Sequence, residues 1–205
     1  SYLVMATKKG TIKKTKLMAY SNPRRHGIIA VTLENGDELI NVQLTDGNQQ
    51  IILATKNGLA VRFEERNVRA TGRSAQGVRG INLKDNDEVI GMIVASDDKT
   101  LLTVTENGYG KRTPIAEYRL IKRGGSGVIN IQCSERNGNV VAVCPVTDND
   151  DVMFISKNGI IIRVPATDIS LIGRNTQGVR IMKLEAGDKV VSAVKVAREN
   201  DGGSR

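Results

Sequence analysis

Residues 51–63 read IILATKNGLAVRF: an apolar run, a short polar turn ending in glycine, and a second apolar run. The same pattern returns three more times, as LVMATKKGTIKKT from Leu3, LLTVTENGYGKRT from Leu101 and VMFISKNGIIIRV from Val152. The turn glycines Gly10, Gly58, Gly108 and Gly159 lie 48, 50 and 51 residues apart. A second glycine follows each one, as Gly27, Gly77, Gly127 and Gly178, at offsets of 17, 19, 19 and 19. Two landmarks held in register across four units define a tandem repeat. Its period of about fifty residues is that of a supersecondary unit that must stack on its neighbours to bury a core.

Each unit reads as four strands; in the second they are expected over 51–55, 59–63, 78–83 and 89–95. Val, Ile and Leu dominate these runs and helical periodicity is absent. Asn57-Gly58, Asn107-Gly108 and Asn158-Gly159 are hairpin dipeptides that supply the positive φ angles of a tight two-residue turn. Asn35-Gly36 and Asn137-Gly138 are expected to do the same for the later hairpin of their units. Four short strands at this period suit an all-β propeller of four blades, at about 2–48, 49–98, 99–149 and 150–198. A parallel β-helix competes, but its rungs are shorter and do not use antiparallel turns this regularly.

Basic residues recur in register. Four positions after the turn glycine stand Lys14, Arg62, Arg112 and Arg163, preceded in the first and third units by Lys13 and Lys111. The long loop before the third strand carries Arg24 and Arg25, then Arg66, Arg69 and Arg73, then Arg119, Lys122 and Arg123, then Arg174. Arg79 and Arg180 stand two residues past the second glycine. Acidic residues gather elsewhere: Asp37, Asp87 and Asp188 between strands three and four, and Asp97, Asp98, Asp148, Asp150 and Asp151 in the links between units. In a stacked array, one cation per unit becomes a track of positive charge. Such a track suits a polyanion held by phosphate neutralisation, with strong salt dependence and little sequence preference.

The net charge of +8 and pI of about 9.6 agree with an anionic partner. Aromatic residues are only 3% of the chain, too few for the stacking platforms of single-strand binders, so duplex DNA is the expected ligand. No apolar run approaches the roughly 20 residues of a membrane-spanning helix, and no membrane role is expected. Cys133 and Cys144 lack a CxxC partner and are expected as buried reduced thiols. The single histidine, His26, reads as a loop residue. No catalytic constellation, no metal-ligand spacing and no Gly-Lys-Ser/Thr phosphate loop is present. GRSAQG from Gly72 and GRNTQG from Gly173 read as turns. The abrupt start inside a strand-like run is expected of a piece of a longer protein.

ENGYGKRTPIAEY from Glu106, KGTIKKT from Lys9 and GRNTQGVR from Gly173 resemble the C-terminal domain of the A subunit of bacterial DNA gyrase, over about residues 2–197. The resemblance implies a six-bladed β-propeller variant, the β-pinwheel, that wraps duplex DNA on its basic rim and supports ATP-dependent negative supercoiling by a cytoplasmic enzyme. Four units stand where that family has six, so an open arc is expected. Its loose ends would be the strands near Tyr2 and 191–196, and the first blades, with the Gln-Arg-Arg-Gly-Gly-Lys-Gly box, would be absent. KRGGSG from Lys122 resembles that box, with Ile121 in place of the glutamine and Ser126 in place of the lysine, and reads as a degenerate loop copy. The catalytic tyrosine of the family lies outside this stretch. The implied partners are duplex DNA, the gyrase A N-terminal region and the gyrase B subunit. No cofactor is implied here, ATP and Mg being used elsewhere in the enzyme. The corresponding domain of topoisomerase IV and a protein-interaction propeller are the alternatives.

Overall fold

The computed structural model describes residues 1–198. The first unit contributes β1 (Tyr2–Thr7), β2 (Thr11–Lys16) and β3 (Leu39–Thr45). The second contributes β4 (Gln50–Thr55), β5 (Leu59–Glu64), β6 (Val78–Arg79) and β7 (Val89–Ala95). The third contributes β8 (Thr100–Thr105), β9 (Tyr109–Pro114), β10 (Val128–Ile129) and β11 (Val140–Val146). The fourth contributes β12 (Asp150–Ser156), β13 (Ile161–Pro165), β14 (Val179–Arg180) and β15 (Val190–Ala197). A short 3-10 turn follows the second strand of every unit.

The sheets do not coincide with the units. Their orders are β3-β1-β2-β6, β7-β4-β5-β10, β11-β8-β9-β14 and β15-β12-β13, all antiparallel. Each short third strand therefore leaves its own unit and completes the sheet of the preceding one. The expected strand over 78–83 is cut to two residues for a local reason. The next two amides, Gly80 and Ile81, both turn onto the carbonyl of Gly10, at 2.8 and 3.3 Å. Asn130 and Ile131 do the same to Gly58, and Ile181 and Met182 to Gly108. The acidic segments are accordingly crossings between sheets rather than hairpins.

The turn glycines also differ from expectation. Gly58, Gly108 and Gly159 have φ of 92°, 87° and 85°, whereas the asparagines before them do not enter the positive region. Each glycine amide instead bonds back to the residue three before it, Gly58 to Thr55 at 3.1 Å, so the loop is a three-residue turn closed by a left-handed glycine. The hydroxyls of Thr7, Thr55 and Ser156 accept the amide after the glycine at 3.0–3.2 Å and pin that geometry.

The core lies between sheets. Val4, Ala6 and Ile12 meet Ile51, Leu53 and Phe63; Ile52 and Ala60 meet Leu101, Ile115 and Tyr118; Leu102 and Val104 meet Val152 and Phe154. Ile51, Ile52, Leu53 and Ala54 are thus buried in succession because the second sheet is covered on both faces. The last strands of the units pack side by side, β3 on β7, β7 on β11 and β11 on β15, which places them nearest the axis of the arc. The exchanged strands lie at the opposite edge, on the outer rim. At the ends of the array Leu44 is 60% exposed and Val191 53%. The strand at Tyr2 is not loose: β1 is central, between β2 and β3, and β15 is paired with β12. The strand left without an outer neighbour among the described residues is β13.

Candidate nucleic-acid interface

Most of the cations in the strand register do not face solvent. Lys13, Lys14, Arg62, Lys111 and Arg112 are all buried. Their charged ends reach across to the following unit and bond to its backbone carbonyls. Arg62 donates to the carbonyls of Ile115 (3.0 Å) and Tyr118 (3.3 Å), and pairs with Asp97 at 2.7 Å. Arg112 repeats this with Ile169 (2.8 Å) and Asp148 (3.0 Å), and Lys14 reaches Glu65 O at 3.1 Å. Lys111 inserts into the loop of the fourth unit and meets Gly173 O, Arg174 O and Thr176 Oγ1 at 2.7–3.0 Å. Lys13 does the same to Arg73 O and also donates to Ala30 O in the loop of its own unit. Burial, with a lesser push from Arg174, lowers the Lys111 amine to about 8; burial and then Arg73 also lower Lys13.

The charge register is therefore a set of inter-blade staples: the five residues expected on a track are buried and bonded to neighbouring backbone. A cation suits this work because the following chain runs parallel to the second strand and brings its carbonyls within reach; those of Glu65 and Ile115 already accept an amide of their own turn and take the charged group as a second donor. The link acids Asp97 and Asp148 neutralise the staples, so the two signs are less segregated than the sequence implied. Arg163 is the exception. No unit follows it among the described residues, its side chain is 48% exposed, and it pairs with Asp151 at 2.9 Å. Asp151 is held below the usual carboxylate range by the Arg163 and Arg198 bonds.

The rim loops carry the accessible charge. Arg24, Arg25, Arg69, Arg79, Lys122 and Arg180 are exposed, and Arg73, Arg123 and Arg174 half-exposed. The last three repeat one contact. Arg73 Nη1 donates to Ile29 O (3.3 Å), Arg123 Nη1 to Arg79 O (3.0 Å) and Arg174 Nη1 to Ile129 O (2.9 Å). Ile29, Arg79 and Ile129 hold equivalent positions, two residues past the second glycine. Each loop is thus latched to the loop of the preceding unit, which sets Arg123 beside Arg79 and links the loops into one basic series along the rim. The arrangement offers fixed, regularly spaced guanidiniums to an extended anion. Among the described residues no cluster of three or more His, Cys, Asp or Glu has the geometry to hold a metal.

Comparison with known proteins gives this arrangement its kin. The family described as DNA gyrase C-terminal domain, beta-propeller, matches residues 1–46, 49–96, 99–146 and 150–197. The chain belongs to this family. Among similar proteins, the DNA gyrase A subunit of Halalkalibacterium halodurans is 54% identical over 200 residues, covering 98% of this chain and 24% of that protein. The gyrase A protein of Salmonella typhimurium is 47% identical over 197 residues, covering 96% and 22%. The chain thus spans about a quarter of the length of these relatives. The solved C-terminal domain of DNA topoisomerase IV superposes with a TM-score of 0.90 at 28% identity, covering 96% of this chain and 62% of that one. The DNA gyrase A C-terminal domain gives 0.86 at 29%, covering 95% and 65%.

Within this gyrase C-terminal domain chain, KRGGSG occupies the same loop as GRSAQG and GRNTQG, and its Arg123 makes the latch that Arg73 and Arg174 make. The staple partner varies with the loop: Lys13 and Lys111 receive the two GR-x-x-QG loops, while Val61 holds the matching position in the unit before the glycine-rich one. Asp37, Asp87 and Asp188 each cap the glycine turn of their own unit, accepting Lys9 N, Asn57 N and Asn158 N at 2.9–3.0 Å. Sequence reasoning missed Arg136 and Tyr109. The signal was available: Arg136 is a cation in a segment that is acidic in the other three units. Cys133 and Cys144 are free and half-buried, less enclosed than expected, and burial raises both thiols. His26 is exposed.

Proposed function

We propose that this chain is the DNA-binding and DNA-wrapping part of a gyrase A protein, and that it holds duplex DNA by its phosphates along the rim loops. The observation that carries the reading is the latched series Arg73, Arg123 and Arg174, with Arg24, Arg25, Arg69, Arg79, Lys122 and Arg180 exposed around it. A convex basic rim favours a bent duplex, because bending brings more phosphates into contact and offsets the cost of deformation. The chain itself performs no catalysis and binds no cofactor. Its role is to present the wrapped DNA to the gyrase A N-terminal region and the gyrase B subunit, which use ATP and Mg to introduce negative supercoils in the bacterial cytoplasm. The topoisomerase IV reading is favoured by the 0.90 superposition. The gyrase reading rests on identities of 41–54% to gyrase A proteins, the two solved domains being nearly equal at 29% and 28%.

Retention of a duplex of about 100 base pairs in a gel-shift series from about 50 to 200 mM salt tests it. Six to ten phosphate contacts predict a loss of about 10³- to 10⁵-fold in affinity over that range. Absence of binding at the low-salt end contradicts the proposal.

A further inference from the structure

Where the fourth unit's exchanged strand β14 joins the third sheet, Tyr109 opens β9 with its side chain almost wholly buried. Two arginines converge on its hydroxyl: Arg136 Nε donates at 3.0 Å and Arg180 Nη2 at 3.2 Å. Both guanidiniums also lie over the ring, 5.6 and 5.5 Å from its centre. Neither pairs with a carboxylate among the described residues. Lys183 and Lys189 line the same pocket. Of its two acids, Asp188 is occupied by the amides of Asn158 and Lys189, and Glu185 is exposed and makes no ion pair among the described residues. The two guanidiniums share one phenol oxygen and have no carboxylate partner among the described residues, so their remaining N–H groups are available to an anion. The Arg136 bond, ahead of the Arg180 bond, holds the phenol below its usual range against the opposing effect of burial.

The cluster is not a by-product of the repeat. Thr11 and Leu59 stand at the position of Tyr109 in the first two units, and Ile129 replaces Arg180 at the second junction. We infer that Arg136 and Lys183 join the rim cation Arg180, with Tyr109 as the positioning residue, to form a phosphate-binding clamp. Guanidinium pairs match a tetrahedral phosphate oxyanion by bidentate bonding. The phosphate comes either from a DNA backbone, in which case the inference rests on the proposed DNA binding, or from a free phosphate.

Ultraviolet difference titration tests it, because the chain has four tyrosines and no tryptophan. The probes are inorganic phosphate and a duplex of about 30 base pairs. At least one is expected to raise the phenol's titration midpoint, with the signal lost in Tyr109→Phe; no change with either probe overturns the clamp. A salt series then compares Arg136→Ala/Arg180→Ala with the charge-matched Lys16→Ala/Lys195→Ala. The clamp predicts a drop of about one to two in the slope of log affinity against log salt for the first pair alone. Equal drops overturn a DNA-binding clamp in favour of bulk electrostatics. A phosphate signal without any duplex binding upholds the clamp while contradicting the proposed DNA binding.

Discussion

Lys111 keeps its amine inside the loop of the next blade, ringed by two carbonyls and a threonine hydroxyl, yet burial lowers it from 10.5 to about 8. Between those values the unfolded chain binds a proton that the folded chain has released, so stability rises with pH across that window; below about pH 8 the full cost of burying the charge is present. Lys111→Met is expected to flatten this rise, measured as the difference in urea midpoints between wild type and variant at about pH 7.5 and 10. Arg62 and Arg112 act at the same scale. Arg62→Met leaves the carbonyls of Ile115 and Tyr118 without their charged donor and is expected to cost about 2–4 kcal/mol in urea unfolding, with duplex affinity of the folded protein unchanged. The recurrence of these cations was legible in the sequence. Their burial was not, because an arginine aimed at solvent and one aimed at a neighbouring carbonyl have the same spacing from the turn glycine.

The turn glycines belong to the scale of the element, and here the sequence was most informative. Gly58 combines a φ of 92° with a Cβ position only 2.3 Å from Ile131 O, so both the turn and the exchanged chain demand it. Gly159 has a φ of 85° but nothing within 4 Å, since β13 receives no exchanged strand among the described residues. Gly159→Ala is therefore expected to cost about 1–2 kcal/mol from backbone strain alone. Gly58→Ala is expected to cost more, about 3–4 kcal/mol, because the backbone of a second unit must also move. Denaturant unfolding of the two variants separates the turn from the exchange. The exchange itself could not be read from the chain. Val78-Arg79 has the same pattern whether it pairs within its unit or with Thr11 and Ile12 of the preceding one. Only the carbonyl of Gly10, which draws off the next two amides, ends the strand early.

At the scale of the whole molecule, strand exchange turns four repeats into a continuous arc, with apolar layers between sheets and rim loops latched in series. The repeat, the blade count and the excess positive charge were all legible from the spacing of glycines and cations. The division between staple cations and rim cations was not, since it depends on which edge of each sheet lies away from the axis. The central claim is that exposed loop cations hold DNA while strand-register cations hold the blades together. Arg24, Arg25, Arg79 and Lys122 are exposed, and their side chains make no hydrogen bond or ion pair among the described residues, so removing their charges should spare the fold. The deciding measurement is the slope of log affinity against log salt for a duplex of about 100 base pairs. The slope is compared among wild type, the quadruple alanine variant at these four positions, and Arg62→Met. The account predicts a slope shallower by about two to four in the quadruple variant and unchanged in Arg62→Met. An unchanged slope in the quadruple variant, or a shallower one in folded Arg62→Met, would contradict it.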